Sequence, residues 1–118
     1  MESAKVVASL GALAHQHRLA IYRMLVEQGP AGLPAGQIGE RIGLVPSSLT
    51  FHLQALQHAG LVGVVRVSRQ LIYSADFGVM NELVGYLTEN CCSASGSACT
   101  PQCKPVAGAK QSKRRTAA

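Results

Sequence analysis

A mainly α-helical domain with one small β-hairpin is predicted by three observations. Apolar residues recur at helical spacing from Val6 to Leu56, the pattern becomes short and β-branched from Leu61 to Ser74, and a last amphipathic run begins after Asp76. The size agrees: 118 residues, 47% of them hydrophobic and 14% charged, make about one domain. Such a chain buries a modest core and has no room for a two-domain enzyme with a deep cleft.

Val6, Leu10, Leu13 and Ala14 mark a first helix, and Leu19, Tyr22, Leu25 and Val26 a second. Gly29-Pro30-Ala31-Gly32 breaks the chain. A short third helix turns Ala35, Ile38 and Ile42 inward, and Gly43 closes it. Pro46 suits the first turn of a fourth helix, where its missing N–H costs nothing. Leu49, Leu53 and Leu56 form that helix's apolar stripe, and Gly60 supplies a left-handed stop. Residues 61–67 and 71–74 read as two short strands around the polar interruption Ser68-Arg69-Gln70. Asp76 caps a last helix carrying Phe77, Met80, Leu83, Val84 and Leu87 on one side. Residues 1–90 are therefore expected to fold. Residues 91–118 are expected to be a flexible, basic, cysteine-containing tail, because from Ser93 onward Val106 is its only large aliphatic residue.

The net charge of +5 resides in that tail. Lys104, Lys110, Lys113, Arg114 and Arg115 stand there without an acid, whereas residues 1–103 hold six bases and six acids. The tail can add a nonspecific, salt-sensitive attraction to DNA, while any contact by the folded part rests on a few well-placed groups. Apolar runs fall short of the roughly 18 residues of a membrane span. The N-terminus lacks the basic-then-apolar pattern of a signal peptide, so a soluble, cytoplasmic protein is expected. All four cysteines lie close together, at Cys91, Cys92, Cys99 and Cys103. In a reducing compartment, clustered thiols point to metal binding or redox chemistry rather than structural disulfides.

Two short helices joined by Gly43-Leu44-Val45 and followed by a hairpin have the layout of a winged helix-turn-helix. In that layout the second helix enters the major groove with its N-terminal residues on base edges. Here those residues are Pro46, Ser47, Ser48 and Thr50, with His52 and Gln54 further along. Small hydroxyls and an amide reach bases or phosphates without crowding. Arg66 and Arg69 flank the hairpin turn, where a wing meets phosphates. Taken alone, these residues also suit a serine-rich helix cap, a surface histidine and solvated arginines.

The runs Leu13-Ala14-His15-Gln16-His17-Arg18-Leu19-Ala20-Ile21, Gly39-Glu40-Arg41-Ile42-Gly43-Leu44, Ser47-Ser48-Leu49-Thr50-Phe51-His52-Leu53 and Ala59-Gly60-Leu61-Val62, with Leu56, resemble the ArsR/SmtB family of metal-responsive repressors. The resemblance covers roughly residues 5–90. It implies a homodimer that binds a palindromic double-stranded DNA operator and releases it when metal binds. It also implies that the first and last helices form the dimer interface. Ser47, Ser48, Thr50 and His52 would sit in the recognition helix and Arg69 in the wing. The chain departs from the family at Gln16, where Pro is frequent, and at Ser68, where Gly is usual. Leu71 and Ile72 provide no basic or aromatic wing residue. A looser start to the second helix and a less positive wing are the corresponding expectations.

The family keeps its metal sites in several places. The arsenic site before the third helix would fall at Pro34, Ala35 and Gly36, where there is no thiol. The zinc site of the last helix needs a histidine, and the four here are His15, His17, His52 and His58. What remains resembles a subset of arsenical repressors with Cys-Cys after the last helix and a third Cys several residues on. Trivalent arsenic and antimony are soft and take three thiolates in a pyramid. Adjacent cysteines on a continuing helix diverge by about 100°. At a fraying end they can converge, and Ser93–Ala98 can fold back to bring Cys99. Cys91, Cys92 and Cys99 are therefore the expected ligands for As(III) or Sb(III), with Cys103 as the spare. Four thiolates would suit Zn(II) or Cd(II) instead, as a sensor or a structural zinc site. Disulfide switching is a further alternative, and thiols with no ligand at all are the plain one. A thiol-based arsenate reductase is disfavoured, since Ser97 and Ala98 stand where its loop arginine would be and there is no Cys-x-x-Cys pair.

Overall fold

The computed structural model describes residues 1–95. Its helices are α1 (Ser3–Leu13), α2 (Gln16–Gln28), α3 (Ala35–Ile42), α4 (Pro46–His58) and α5 (Phe77–Thr88). Its strands are β1 (Leu33–Pro34), β2 (Val62–Val67) and β3 (Gln70–Ala75). Met1 to Leu83 forms one compact unit, and the described residues from Val84 belong to a second.

The hairpin is antiparallel, with Val62 opposite Ala75 and Val67 opposite Gln70, so Ser68-Arg69 alone forms the turn. Gln70, assigned to the turn from sequence, is thus the first residue of β3. Leu33 and Pro34 add a third strand, giving the order β1-β3-β2. Gly32 makes this strand fit: its φ is +72°, and a Cβ there would collide with the Tyr73 carbonyl oxygen. A two-residue strand has no periodicity to detect, and Pro34 argues for an edge, where no ladder donor is needed.

Ile21, Leu25, Ile38, Leu53, Leu56 and Leu61 are fully buried and join α2, α3, α4 and the sheet in one core. Each such side chain contributes about 1.5–3 kcal/mol by leaving water. α3 ends as its sequence requires: Gly43 takes φ +82°, and the Gly43 and Leu44 N–H groups donate to the Gly39 carbonyl at 2.8 and 3.1 Å. The Leu61 N–H donates to the Leu56 carbonyl at 3.0 Å, and the Asp76 N–H to the Leu61 carbonyl at 2.9 Å. These bonds fix where the sheet leaves α4 and where α5 begins. Asp76 caps α5 as expected, accepting from the Val79 N–H at 3.1 Å. Phe77 and Met80 pack on the core and Leu83 is buried, but Leu87 is exposed, so the predicted apolar side of α5 is not buried along its whole length. A 3-10 turn, Ser93–Ser95, lies where the tail was expected to begin, and the tail beyond Ser95 falls outside the described residues. No helix among the described residues is long and apolar enough to cross a membrane.

Candidate functional site

α4 separates its residues by face. Leu49, Leu53 and Leu56 enter the core, while Ser47, Thr50, Phe51 and Gln54 are exposed. The exposed set follows the i, i+3, i+4, i+7 spacing of a single helical stripe. Ser48 is half-buried at its edge. His52, expected among the DNA-facing residues, is instead buried, on the side of α4 turned toward α2, and does not belong to this exposed stripe. Its position between Phe51 and Leu53 reads as polar surface in sequence, but the helical period places it one face away.

His52 instead joins a polar cluster at the start of α2. The Arg18 Nε–H donates to His52 Nδ1 at 3.2 Å. The His15 and His17 rings lie 4.5 and 5.7 Å from the His52 ring, centroid to centroid. Burial lowers the His52 pKa from its ordinary value, and His15, Arg18 and His17 lower it further by placing positive charge nearby. His15 is the N-cap of α2, its Nδ1 accepting the His17 N–H at 3.1 Å. The start of α2, expected to be loose without proline, is therefore capped by a side chain. The Nδ1 lone pairs of both His15 and His52 are thus engaged as hydrogen-bond acceptors. The same Arg18 guanidinium lies 5.5 Å from the centre of the Phe51 ring, within cation–π range. Arg18 thus holds two neighbouring residues of α4 at once.

The wing is the β2–β3 hairpin. Arg66 and Arg69 are both exposed on it, and Ser68 takes a left-handed φ of +57° at the first turn position.

A helix-turn-helix domain profile matches residues 13–65. The chain is 30% identical over 93 residues to the transcriptional activator HlyU of Vibrio cholerae, covering 79% of this chain and 83% of that one. A solved ArsR-like transcriptional regulator from Rhodococcus sp. RHA1 superposes with a TM-score of 0.65 at 27% identity, covering 79% of this chain and 84% of that one. The homodimeric winged helix-turn-helix domain of Mb0332 from Mycobacterium bovis shares the fold, with a TM-score of 0.61 at 22% identity over 82% of this chain and 88% of that one. The chain belongs to the ArsR family of winged-helix transcription regulators.

As an ArsR-family regulator it carries a DNA-binding helix-turn-helix, α3 and α4, and its function is transcription regulation rather than catalysis. Its thiols lie past the end of α5. The Cys91 N–H donates to the Thr88 carbonyl and the Ser93 N–H to the Asn90 carbonyl, both at 3.0 Å. Asn90 and Cys92 adopt left-handed φ values of +59° and +64°. This coiling brings Cys91 Sγ and Cys92 Sγ to 3.6 Å, whereas a continuing helix would have splayed them. Cys91 is exposed and Cys92 half-buried. Cys99 and Cys103 lie outside the described residues. Among the described residues no three His, Cys, Asp or Glu side chains are grouped to hold a metal ion.

Sequence reasoning missed Arg18 and Phe51. Counting in helical steps from Ser47 finds Phe51. Arg18 is marked by the absence of any acid close to it in sequence, which leaves its guanidinium available to other partners.

Proposed function

We propose that this chain is a metalloid-responsive transcriptional repressor. As a homodimer it holds double-stranded operator DNA, and it lets go when Cys91, Cys92 and Cys99 capture As(III) or Sb(III), with Cys103 in reserve. The observation that carries the reading is the 3.6 Å separation of Cys91 Sγ and Cys92 Sγ. For comparison, two thiolates sharing a tetrahedral zinc at bonds near 2.3 Å stand about 3.8 Å apart, so this pair is close enough to share one ion. The pair is thus preset as two donors of a set whose third member comes from the tail. Asn90 is an ordinary left-handed stop after α5, whereas the left-handed φ of Cys92 is unusual for its residue type and costs free energy. Residues 1–90 serve as the reading and dimerising domain, and residues 91–118 as the sensing tail.

Val7 and Leu10 on α1 and Leu87 on α5 are exposed apolar residues, which supports a partner protomer on those helices. In the dimer two copies of α4 stand one DNA turn, about 34 Å, apart. Ser47, Ser48, Thr50 and Gln54 meet base edges and phosphates, and Arg66 and Arg69 meet phosphates from the wing. Capture of the metalloid clamps the end of α5, repacks the dimer interface and misaligns the two readers. A coupling of about 1–3 kcal/mol weakens operator binding five- to 150-fold. Such a regulator acts in the cytoplasm.

A second reading keeps the same fold and changes the effector. The tetrahedral fit of the thiol pair also suits Zn(II) or Cd(II) through four cysteines, and a close thiol pair also suits oxidation. Titration of the reduced protein with As(III), Sb(III) and Zn(II), in wild type and in each Cys→Ser variant, separates these. The proposal expects one metalloid per chain, lost in C91S, C92S or C99S and kept in C103S, together with operator release. Tight zinc through all four thiols without metalloid uptake would replace it with the zinc reading. Release by peroxide alone would replace it with the redox reading.

A further inference from the structure

Phe51 is 62% exposed on a helix whose leucines are all buried. Other large apolar residues are exposed as well, so it is the place of this ring rather than its exposure that matters. Its place on α4 narrows the partner. Phe51 shares the exposed stripe with Ser47, Thr50 and Gln54, on the second helix of the helix-turn-helix. On the operator-binding reading this stripe faces the major groove. The apolar feature that a base pair presents there is the 5-methyl group of thymine, and aromatic side chains are among its recognised contacts.

The ring is also held before any DNA arrives. The Arg18 guanidinium lies 5.5 Å from its centre, and Arg18 is itself fixed by its bond to His52 Nδ1 at 3.2 Å. A side chain ordered in advance loses less entropy on binding than a free one. The same arrangement keeps the arginine charge beside the ring, where it favours approach to the phosphate backbone.

We propose that Phe51 is a specificity-determining residue that reads one thymine methyl in each operator half-site. This deepens the operator-binding reading above and rests on it. Serine, threonine and glutamine along the stripe supply hydrogen bonds, and Phe51 supplies the one apolar contact.

The test uses a duplex selected by the wild-type chain from a randomised pool, then resynthesised with each thymine replaced in turn by uracil. Only the methyl group is lost in each replacement. One position per half-site should weaken wild-type binding about fourfold, the value of one buried methyl-sized group. Phe51→Ala should weaken the unmodified duplex roughly tenfold and lose sensitivity at that position. Phe51→Leu should retain part of both. Circular dichroism and thermal melting check that the variants remain folded, as an exposed position predicts. Binding by wild type with no uracil-sensitive position, or the same sensitivity in Phe51→Ala, would overturn the proposal and leave operator binding intact. Unchanged DNA binding by Phe51→Ala with altered self-association would overturn it in favour of a contact between copies. Failure of the wild-type chain to select any duplex would overturn operator binding and this proposal together.

Discussion

α4 and the Cys91–Cys92 turn are both candidate binding elements, yet they are built in opposite ways. α4 is fixed from behind: Leu49, Leu53 and Leu56 enter the core, and Arg18 grips Phe51 and His52 from α2. The thiol turn carries short-range backbone bonds, and Cys91 is exposed. The difference follows from what each element must do. A helix that reads base edges gains by having its geometry settled in advance. A thiol set that closes on an ion needs only its first pair in place, because the ion supplies the remaining geometry and the binding free energy.

That contrast is most exposed to failure at its extremes. Leu53→Ala removes a side chain that is 1% exposed, and should lower the unfolding free energy by about 2–5 kcal/mol in urea denaturation. Cys92→Ser should change the same quantity by less than about 0.5 kcal/mol while abolishing metalloid uptake. A large stability loss in Cys92→Ser would show that the turn is part of the fold rather than a sensor. Arg18→Ala stands between the two. It leaves the buried His52 Nδ1 without its donor, at a cost of about 1–3 kcal/mol, and it frees Phe51. Operator affinity should fall along with stability. Arg18→Lys should not restore it, since an ammonium cannot donate to His52 and cover the ring in the same fork geometry.

Much of the reading unit was legible because periodicity and punctuation are local. Gly43, Pro46, Gly60 and Asp76 each stop or start a helix through their own backbone or side-chain chemistry, and the structure places the boundaries at them. The cysteine cluster was visible in the same way, as composition. β1 was not, because two residues become a strand only when Tyr73 and Ile72 are brought beside them. His52 was misread because a polar residue on a polar-looking helix gives no sign of its face until Arg18, 34 positions earlier, is placed against it. The histidine cluster is likewise a product of the fold, joining residues of the α1–α2 turn to α4.

Acid should act on the reader before it acts on the thiol turn. The fold holds His52 in its neutral form, through burial first and then through His15, Arg18 and His17, so its folded pKa lies below the ordinary 6.5. As pH falls through about 6.5 the unfolded chain takes up the proton that the folded chain refuses. The stability contribution is therefore complete above that pH and is lost on descent toward the folded pKa. Protonation also removes the Nδ1 lone pair that accepts from Arg18 and sets two cations side by side. Urea denaturation at a series of pH values should show this loss, and His52→Gln should flatten it. A slope unchanged in His52→Gln would move the effect to another group.

The wing offers the smallest effect and the finest test of how far each region is set in advance. Ser68 holds a φ of +57° at the first position of a two-residue hairpin turn, the position that favours glycine when only that residue is left-handed. Ser68→Gly relieves about 1–2 kcal/mol of left-handed strain and adds up to about 1 kcal/mol of chain entropy to the unfolded state. The net gain should be under about 1 kcal/mol, read as a small rise in the urea midpoint. Because Arg66 on β2 and Arg69 in the turn keep their places, operator affinity and its salt dependence should stay as in wild type. A steeper or shallower salt dependence in Ser68→Gly would mean that the strained turn itself aims an arginine at phosphate, and the wing would then belong with α4 among the elements fixed before DNA arrives.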